Sequence, residues 1–416
     1  MKLNHPAFSM TVLALALATL GSAAQAQETI KLGGLATMEG AFTVLGQDGM
    51  RGLELALKQR NYMAGGKKIE LVRGSSNGQP DSAVSATRKL VEQDKVQLLV
   101  GPLSGSEGIA VKEYAKTQPG VTFVNGSSAA QETTAVNPAP NFFRFSTDGA
   151  QWQVGLGTYS YQKGYKKVAV VAEDYAFPYS QVQGFMVEFC KAGGRVSDKQ
   201  WVPLGTKDYS SVIAKIPADV NAIYVALGGA DAVNFMSQYE QTGGNKPFIG
   251  GSITVDQTVL SYKGKRRDAL IGTPAAGPIA DNWDNADWKK FVADYKAAGF
   301  KDAFPSPSLF AHAYYVNAKA LLDALDAVKG DLSNNHAALR KTLASMTVKT
   351  PTGEVKLDEN RNAVANMFLT EVAKGADGTL YNKVVKVMPN VGQTLGMSKA
   401  EFKKMGVGSR TNPECK

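Results

Sequence analysis

The chain of 416 residues carries a formal net charge of +9, with 44% hydrophobic and 20% charged side chains, two cysteines and three histidines. Its Lys and Arg residues are scattered over presumed helix faces, YKGKRRD at 262–268 being the densest run, so the clustered basic surface of a nucleic-acid binder is missing and only a mild preference for anions follows. So few histidines and cysteines leave no metal-ligand spacing and no disulfide framework, although one bridge between Cys190 and Cys415 stays open.

Residues 1–26 read as a cleaved signal peptide. Lys2 precedes an apolar run from Met10 to Leu20, and Ala24-Gln25-Ala26 supplies the small-x-small pattern of a cleavage site. Lys2 is the one charged residue of this leader, so the remainder keeps +8 of the +9. No later run reaches the roughly 18 continuous apolar residues of a membrane helix, and no cysteine follows the cleavage point to carry a lipid. A soluble, exported protein is expected, and roughly 390 residues exceed what one core organises, so two domains are expected.

From Thr29 onward, strand-like runs alternate with amphipathic ones. TIKLGGLA precedes MRGLELALKQR, KKIELVRG precedes DSAVSATRKLVEQ, and KVQLLVGPL precedes EGIAVKEYAKT and VTFVNGSS. That rhythm predicts βαβ units and a parallel sheet. It restarts after NFFRFSTD with KKVAVVAED, YSQVQGFMVEFCKAGG, NAIYVALGG and PFIGGSIT, which gives two similar α/β halves. Beyond residue 285, helical runs are followed by the strand-like EVKLD, ANMFLTEVA and KVVKVM, a tail that completes the two lobes.

Enzyme chemistry finds little support. Gly74-Ser75-Ser76-Asn77-Gly78 matches the G-x-S-x-G pattern of a nucleophile elbow, but Pro80 and Asp81 delay the following helix, and only His312 and His336 remain as bases after the leader. Neither a Walker loop nor a G-x-G-x-x-G fingerprint occurs, so no nucleotide cofactor is expected. Glu173 and Asp174 are adjacent and therefore point apart, which weakens them as an acid/base pair.

Two strand-to-helix turns are more informative. Ser104 is followed three residues on by Glu107, and Ser128 by Gln131, both capping-box spacings. In a parallel sheet such turns share one edge, where free amides and the helix dipole favour an anion. Gly105 and Gly126 let a ligand approach the backbone. The same serines serve equally well as plain helix caps.

In order and spacing, IKLGGLATMEGAFTVLGQDGMRGLELAL, KLVEQDKVQLLVGPLSGSEG, GVTFVNGSSAAQ, VVAEDYAFPYSQ and FIGGSITVDQ resemble the periplasmic substrate-binding proteins of ABC importers, in the branched-chain amino acid binding family, over nearly the whole chain. The resemblance implies a type I periplasmic binding fold of class α/β: two Rossmann-like lobes, each a parallel sheet flanked by helices, joined by three hinge crossings. Lobe 1 is expected over 27–148 plus 279–350, and lobe 2 over 149–278 plus 351–416. A ligand carried between the lobes to a membrane permease, a periplasmic location and a monomer are implied as well, with no catalytic residue, no cofactor and no stable membrane insertion.

In that family the turns matching Ser104, Gly105 and Ser106, and Gly126, Ser127 and Ser128, hold a ligand carboxylate. Departures from the family pattern then suggest the ligand. Where amino acid binders carry an acid for the ligand's ammonium this chain has Ser252, and their tyrosines are replaced by Leu45, Phe177 and Gly228. An ammonium buried without a partner costs several kcal/mol, so an α-amino acid is disfavoured unless Asp174 or Glu39 takes over. Phe42, Leu45, Tyr175 and Phe177 are expected to supply apolar walls, and Gly228 to leave room for a flat ring. Phe310 and His312 begin a helix near the cleft, where the histidine reads as a satisfied core residue. The expected ligand is a hydrophobic, aromatic carboxylate of the benzoate, hydroxycinnamate or phenylacetate type, or a branched 2-oxo acid. An aliphatic branched-chain amino acid, or a role as a periplasmic sensing subunit, is the alternative.

Overall fold

The alternating runs form two sheets. In this computed structural model residues 1–2, 28–262 and 265–415 are described; the apolar run and Ala24-Gln25-Ala26 of the expected signal peptide lie outside them. Thr29–Thr37 is central in the first sheet, paired in parallel with Lys67–Ser76 on one side and Leu98–Val100 on the other, with Thr122–Val124 and Phe142–Phe143 continuing outward. Met63–Ala64 adds a short antiparallel edge.

The second sheet is built around Lys167–Glu173, Arg195–Val202, Ala222–Ala226, Phe248–Gly250 and Pro274–Gly277, all parallel. It then departs from the purely parallel sheet expected of each lobe. Ala363–Lys374 pairs antiparallel with Pro274–Gly277 and is flanked by Leu380–Val391 and Gly353–Leu357. Gly353–Leu357, Ala363–Lys374 and Leu380–Val391 follow one another through short connections, which permit only antiparallel pairing, because a parallel return needs a crossover of a dozen residues. Thr347–Thr350 pairs with Gly353–Leu357 and so also belongs to this sheet.

Five helices position the site: α1 (Thr43–Lys58), α2 (Gly105–Ala115), α3 (Ala176–Lys191), α4 (Ala286–Ala297) and α5 (Leu309–Ala327). The first sheet is packed by α1 and α5, which approach closely because α1 presents small residues at the contact. A Cβ on Gly52 would lie 2.0 Å from the Ala311 carbonyl oxygen, and one on Gly46 would lie 1.8 Å from that of Thr37. The second sheet is packed by α3, whose Phe185 stacks on Tyr224 with centroids 4.5 Å apart. The open possibility of a bridge is realised: Cys190 of α3 and Cys415 form a disulfide that pins the C-terminal segment to α3.

Both histidines of the described residues are buried and spoken for. His312 Nε2 contacts Thr352 Oγ1 at 3.1 Å, and His336 Nδ1 contacts Thr122 Oγ1 at 3.0 Å. Burial holds the His312 imidazole down to about 3, whereas in the unfolded chain it titrates near 6.5. Its stabilising contribution is therefore complete above pH 6.5 and falls as the pH drops toward 3, because the unfolded chain takes up the proton first. Urea denaturation is expected to show about 1 to 2 kcal/mol lost between pH 7 and pH 5 from this residue, and His312→Gln to reduce that loss.

Candidate ligand-binding site

The capping box predicted at Ser104 forms. The Glu107 N–H donates to Ser104 Oγ at 3.4 Å, and the Ser104 N–H donates to Glu107 Oε2 at 2.9 Å. Glu107 is buried, which pushes its carboxyl above the usual range against the donors that surround it: the Gly78 N–H at 3.0 Å and the Thr37 hydroxyl at 3.1 Å. The 74–78 turn is thus tied to the start of α2. Ser76, the would-be nucleophile, is buried with its hydroxyl against the Ala36 carbonyl and Thr37, and both histidines are engaged elsewhere, so no elbow is assembled. Of the first four N–H groups of α2, that of Glu107 is taken by Ser104 Oγ and that of Gly108 by the Ser104 carbonyl. Those of Gly105 and Ser106 have no hydrogen-bond acceptor among the described residues.

The second capping box does not form. The N–H groups of Ser127 and Ser128 both donate to the Pro102 carbonyl, at 3.1 and 3.3 Å, which draws this turn across the start of α2. Helix begins only at Glu132 and lasts four residues. The Ser128 hydroxyl points at α2, where a Cβ on Gly108 would lie 1.7 Å from it, and it has no partner among the described residues.

Between the lobes lies a small chamber of about 10 Å³, room for about one water molecule with the lobes shut this tightly. Seven of the twelve residues expected in the site line it: Ser104, Gly105 and Ser127 at the polar end, Phe42, Leu45, Tyr175 and Phe177 along the wall. The rings run in sequence, Phe42 to Tyr175 at 6.0 Å, Tyr175 to Phe177 at 6.2 Å, and Phe177 edge-on to Trp152 at 5.2 Å. Phe310 completes the wall from α5, together with Leu103, Ala129 and Ile253. No lining side chain carries a charge.

The other five expected residues are placed differently. Gly126 lies under the Tyr314 ring, and its carbonyl accepts from Asn317 Nδ2 at 2.9 Å. Ser106 Oγ accepts the Ala176 N–H of the opposite lobe at 3.3 Å. Ser128 faces α2. Gly228 leaves no vacant slot, because Ile253 and Phe42 occupy the space its missing side chain would take, at 3.1 and 3.6 Å. Ser252 accepts from Gln181 and borders a separate small cavity beside Asp256.

Trp152, Leu103, Ala129 and Ile253 were not expected. Trp152 ends the four-residue helix Gly149–Trp152, whose Asp148 cap and Gln151 form a capping box. The D-x-x-Q spacing was the available signal for that helix, but nothing local aims its tryptophan into the cleft.

Acids near the chamber are neutralised or turned away. Glu173 lies behind Tyr175, fully buried, with the Gly228 N–H donating to its Oε1 at 2.9 Å. Burial, with Asp231 nearby, pushes its carboxyl well above the usual range against the Gly228 N–H that donates to it. Asp174 is paired with Arg410, and Glu39 is exposed and accepts from Ser75. Neither lines the chamber.

The lobes are closed over this space. Besides the contact of Ser106 with Ala176, the Gln131 N–H donates to Ser180 Oγ at 2.9 Å, and the Leu309 N–H at the start of α5 donates to Asp256 Oδ2 at 2.8 Å. No cluster of three metal-ligating side chains occurs, and no helix is long and apolar enough to cross a membrane, among the described residues.

Two α/β lobes shut over a chamber without charged side chains have the architecture of a protein that binds a small molecule by closure. The chain belongs to the periplasmic binding protein family, whose model matches residues 29–378, and is a type I substrate-binding protein of ABC transporters. A Leu/Ile/Val-binding protein homolog from Brucella melitensis is 26% identical over 392 residues, spanning 92% of this chain and 97% of that protein. Among solved structures, an ABC transporter substrate-binding protein from Sphaerobacter thermophilus superposes with a TM-score of 0.77 at 29% identity, over 88% of this chain and 99% of the other. A solute binding protein from Rhodopseudomonas palustris in complex with benzoate gives 0.80 at 25% identity, over 89% and 99%. These relatives are solute-binding proteins, not enzymes, and the family implies an extracytoplasmic location.

Proposed function

We propose that this protein delivers an aromatic carboxylate to the permease of an ABC importer, working as a periplasmic monomer. The observation that carries the reading is a chamber walled by aromatic rings with no charged side chain, ending at Gly105, the first residue of α2. The carboxylate binds at that end, with Ser104 and Ser127 beside it, and the ring lies between Phe42, Tyr175 and Phe177. Hydrogen bonds to a charged group contribute about 1.5 to 3 kcal/mol each. A few of them with a buried ring reach the ~8 kcal/mol of micromolar binding after association costs. The R. palustris relatives, whose structures hold benzoate or 3,4-dihydroxy benzoic acid, support this class.

The names of the Brucella relatives favour an aliphatic amino acid instead. Its ammonium would need an acidic partner, and no side chain lining the chamber is acidic. Calorimetry with benzoate, 4-hydroxybenzoate and leucine separates the two: micromolar binding of an aromatic acid is expected, and micromolar leucine binding with no aromatic response would end the reading. An uptake assay in a strain lacking the protein is expected to lose uptake of the same acid; a sensing subunit would leave it unchanged.

A further inference from the structure

We propose that Trp152 is the partition that sets the length limit of the ligand, and that the apolar chamber behind it is a second subsite for the far end of a longer arylalkanoate. The inference rests on the reading of the ligand as a carboxylate held at the serine turns.

Trp152 lies on the boundary of two cavities. It lines the ligand chamber, at the end of the run of rings, and it also lines a small, mostly apolar cavity of about 20 Å³ at the hinge, which loss of the indole would enlarge. This second cavity is walled by Thr147 and Pro278, which follow the last strands of the first and second sheets' parallel runs, by Thr352 in the turn between Thr347–Thr350 and Gly353–Leu357, and by Phe145, Val316 and Met367. The indole is 1% exposed and is fixed by one hydrogen bond, from Nε1 to Thr147 Oγ1 at 2.9 Å. The polar groups of the hinge chamber are already satisfied: His312 pairs with Thr352 at 3.1 Å, Asn366 Nδ2 donates to the Thr352 carbonyl at 3.0 Å, and Ser146 Oγ accepts from Asn125 Nδ2 at 3.0 Å. What the walls still offer is apolar surface, so the occupant that fits is a hydrocarbon arm or ring, not a second polar head. A ligand anchored by its carboxylate at Gly105 extends away from that anchor, and in this direction the indole is the barrier to further length.

The test compares benzoate, 3-phenylpropanoate and 4-phenylbutanoate by calorimetry on the parent, Trp152→Ala and Trp152→Leu, the leucine variant being included because it removes the partition with less loss of packing. Expected are at least tenfold preference of the parent for benzoate over 4-phenylbutanoate, and a shift of that ratio by at least tenfold toward the longer acid in whichever variants retain a cooperative thermal transition. Parallel losses for all three acids, or a parent that binds the long acid as tightly as benzoate, would overturn the partition. The parent's response to benzoate separately decides the carboxylate reading. Gain of 4-phenylbutanoate binding by either variant supports the partition even where the parent takes no benzoate, and its absence from both overturns it.

Discussion

Gly105→Val is expected to weaken ligand binding more than about a hundredfold, ~2.7 kcal/mol, while the ligand-free protein keeps its thermal midpoint. A Cβ at position 105 would lie 2.6 Å from Phe177 Cβ and 2.8 Å from the Phe177 nitrogen. Phe177 stands on the opposite lobe, in the first turn of α3, so this crowding arises only when the lobes meet. Within its own lobe the new atom would meet Ala130 Cβ at 3.1 Å, a contact a small shift relieves. Position 105 is the first residue of α2 and its backbone has an ordinary negative φ, so the helix accepts a side chain there. The whole penalty then falls on closure, and ligand affinity drops by the factor by which the closed form is depopulated. Gly105→Ala is the graded version, with a smaller loss. Calorimetry gives the affinity, and small-angle scattering with saturating ligand is expected to show the valine variant still open. A valine variant that binds at parental strength would mean that α3 yields and that Gly105 does not control closure.

The two serine turns show what a sequence can and cannot reveal about such a site. Ser104 and Glu107 share an i, i+3 relation along one helix, so spacing alone predicts their mutual capping, and it forms. Ser128 and Gln131 have the same spacing, but the Pro102 carbonyl captures the N–H groups of that turn. Tertiary geometry displaced a local preference, and no window around residue 128 contains that acceptor. The wall residues Phe42, Tyr175 and Phe177 were reached through the resemblance to the family, and all three line the chamber, each shortly after a strand end, where an α/β sheet gathers its loops. Trp152 follows a passage between lobes, whose course depends on how both sheets twist. The pairing of Cys190 with Cys415 spans 225 residues, and only the folded path of the C-terminal segment brings them together. The antiparallel end of the second sheet was readable in principle from its short connections, since strands linked so closely have no other way to pair.

Near pH 4, where the closed form holds Asp256 protonated, Asp256→Ala is expected to weaken ligand binding by about 2 to 3 kcal/mol, the range for leaving a buried donor and a helix terminus without their partner. Asp256 follows the second-lobe strand Phe248–Gly250, yet its Oδ2 accepts the Leu309 N–H, the first of α5 in the other lobe, while Oδ1 accepts the Thr258 N–H at 3.0 Å. Asp48 takes the neighbouring Ser308 N–H at 3.1 Å, so carboxylates from both lobes share one helix start in the closed form. Burial, aided by the charge of Asp48, pushes the Asp256 carboxyl up to about 7 despite those donors. A hydrated Asp256 in the open form titrates near 3.9, so closure takes up a proton whenever the pH lies between these values. The sign follows: closure is most favourable below about pH 4 and loses free energy as the pH rises, levelling off above about 7. Parental affinity measured by calorimetry is therefore expected to fall from pH 5 to pH 7.5. Asp256→Asn keeps an oxygen for the Leu309 N–H and, like the protonated acid, is uncharged, so its affinity is expected to be flat over that range and close to the value the parent approaches below about pH 4. An asparagine variant with the parental pH slope would locate the titrating group elsewhere, and an alanine variant of parental affinity would show that the cross-lobe bond does not hold the lobes shut.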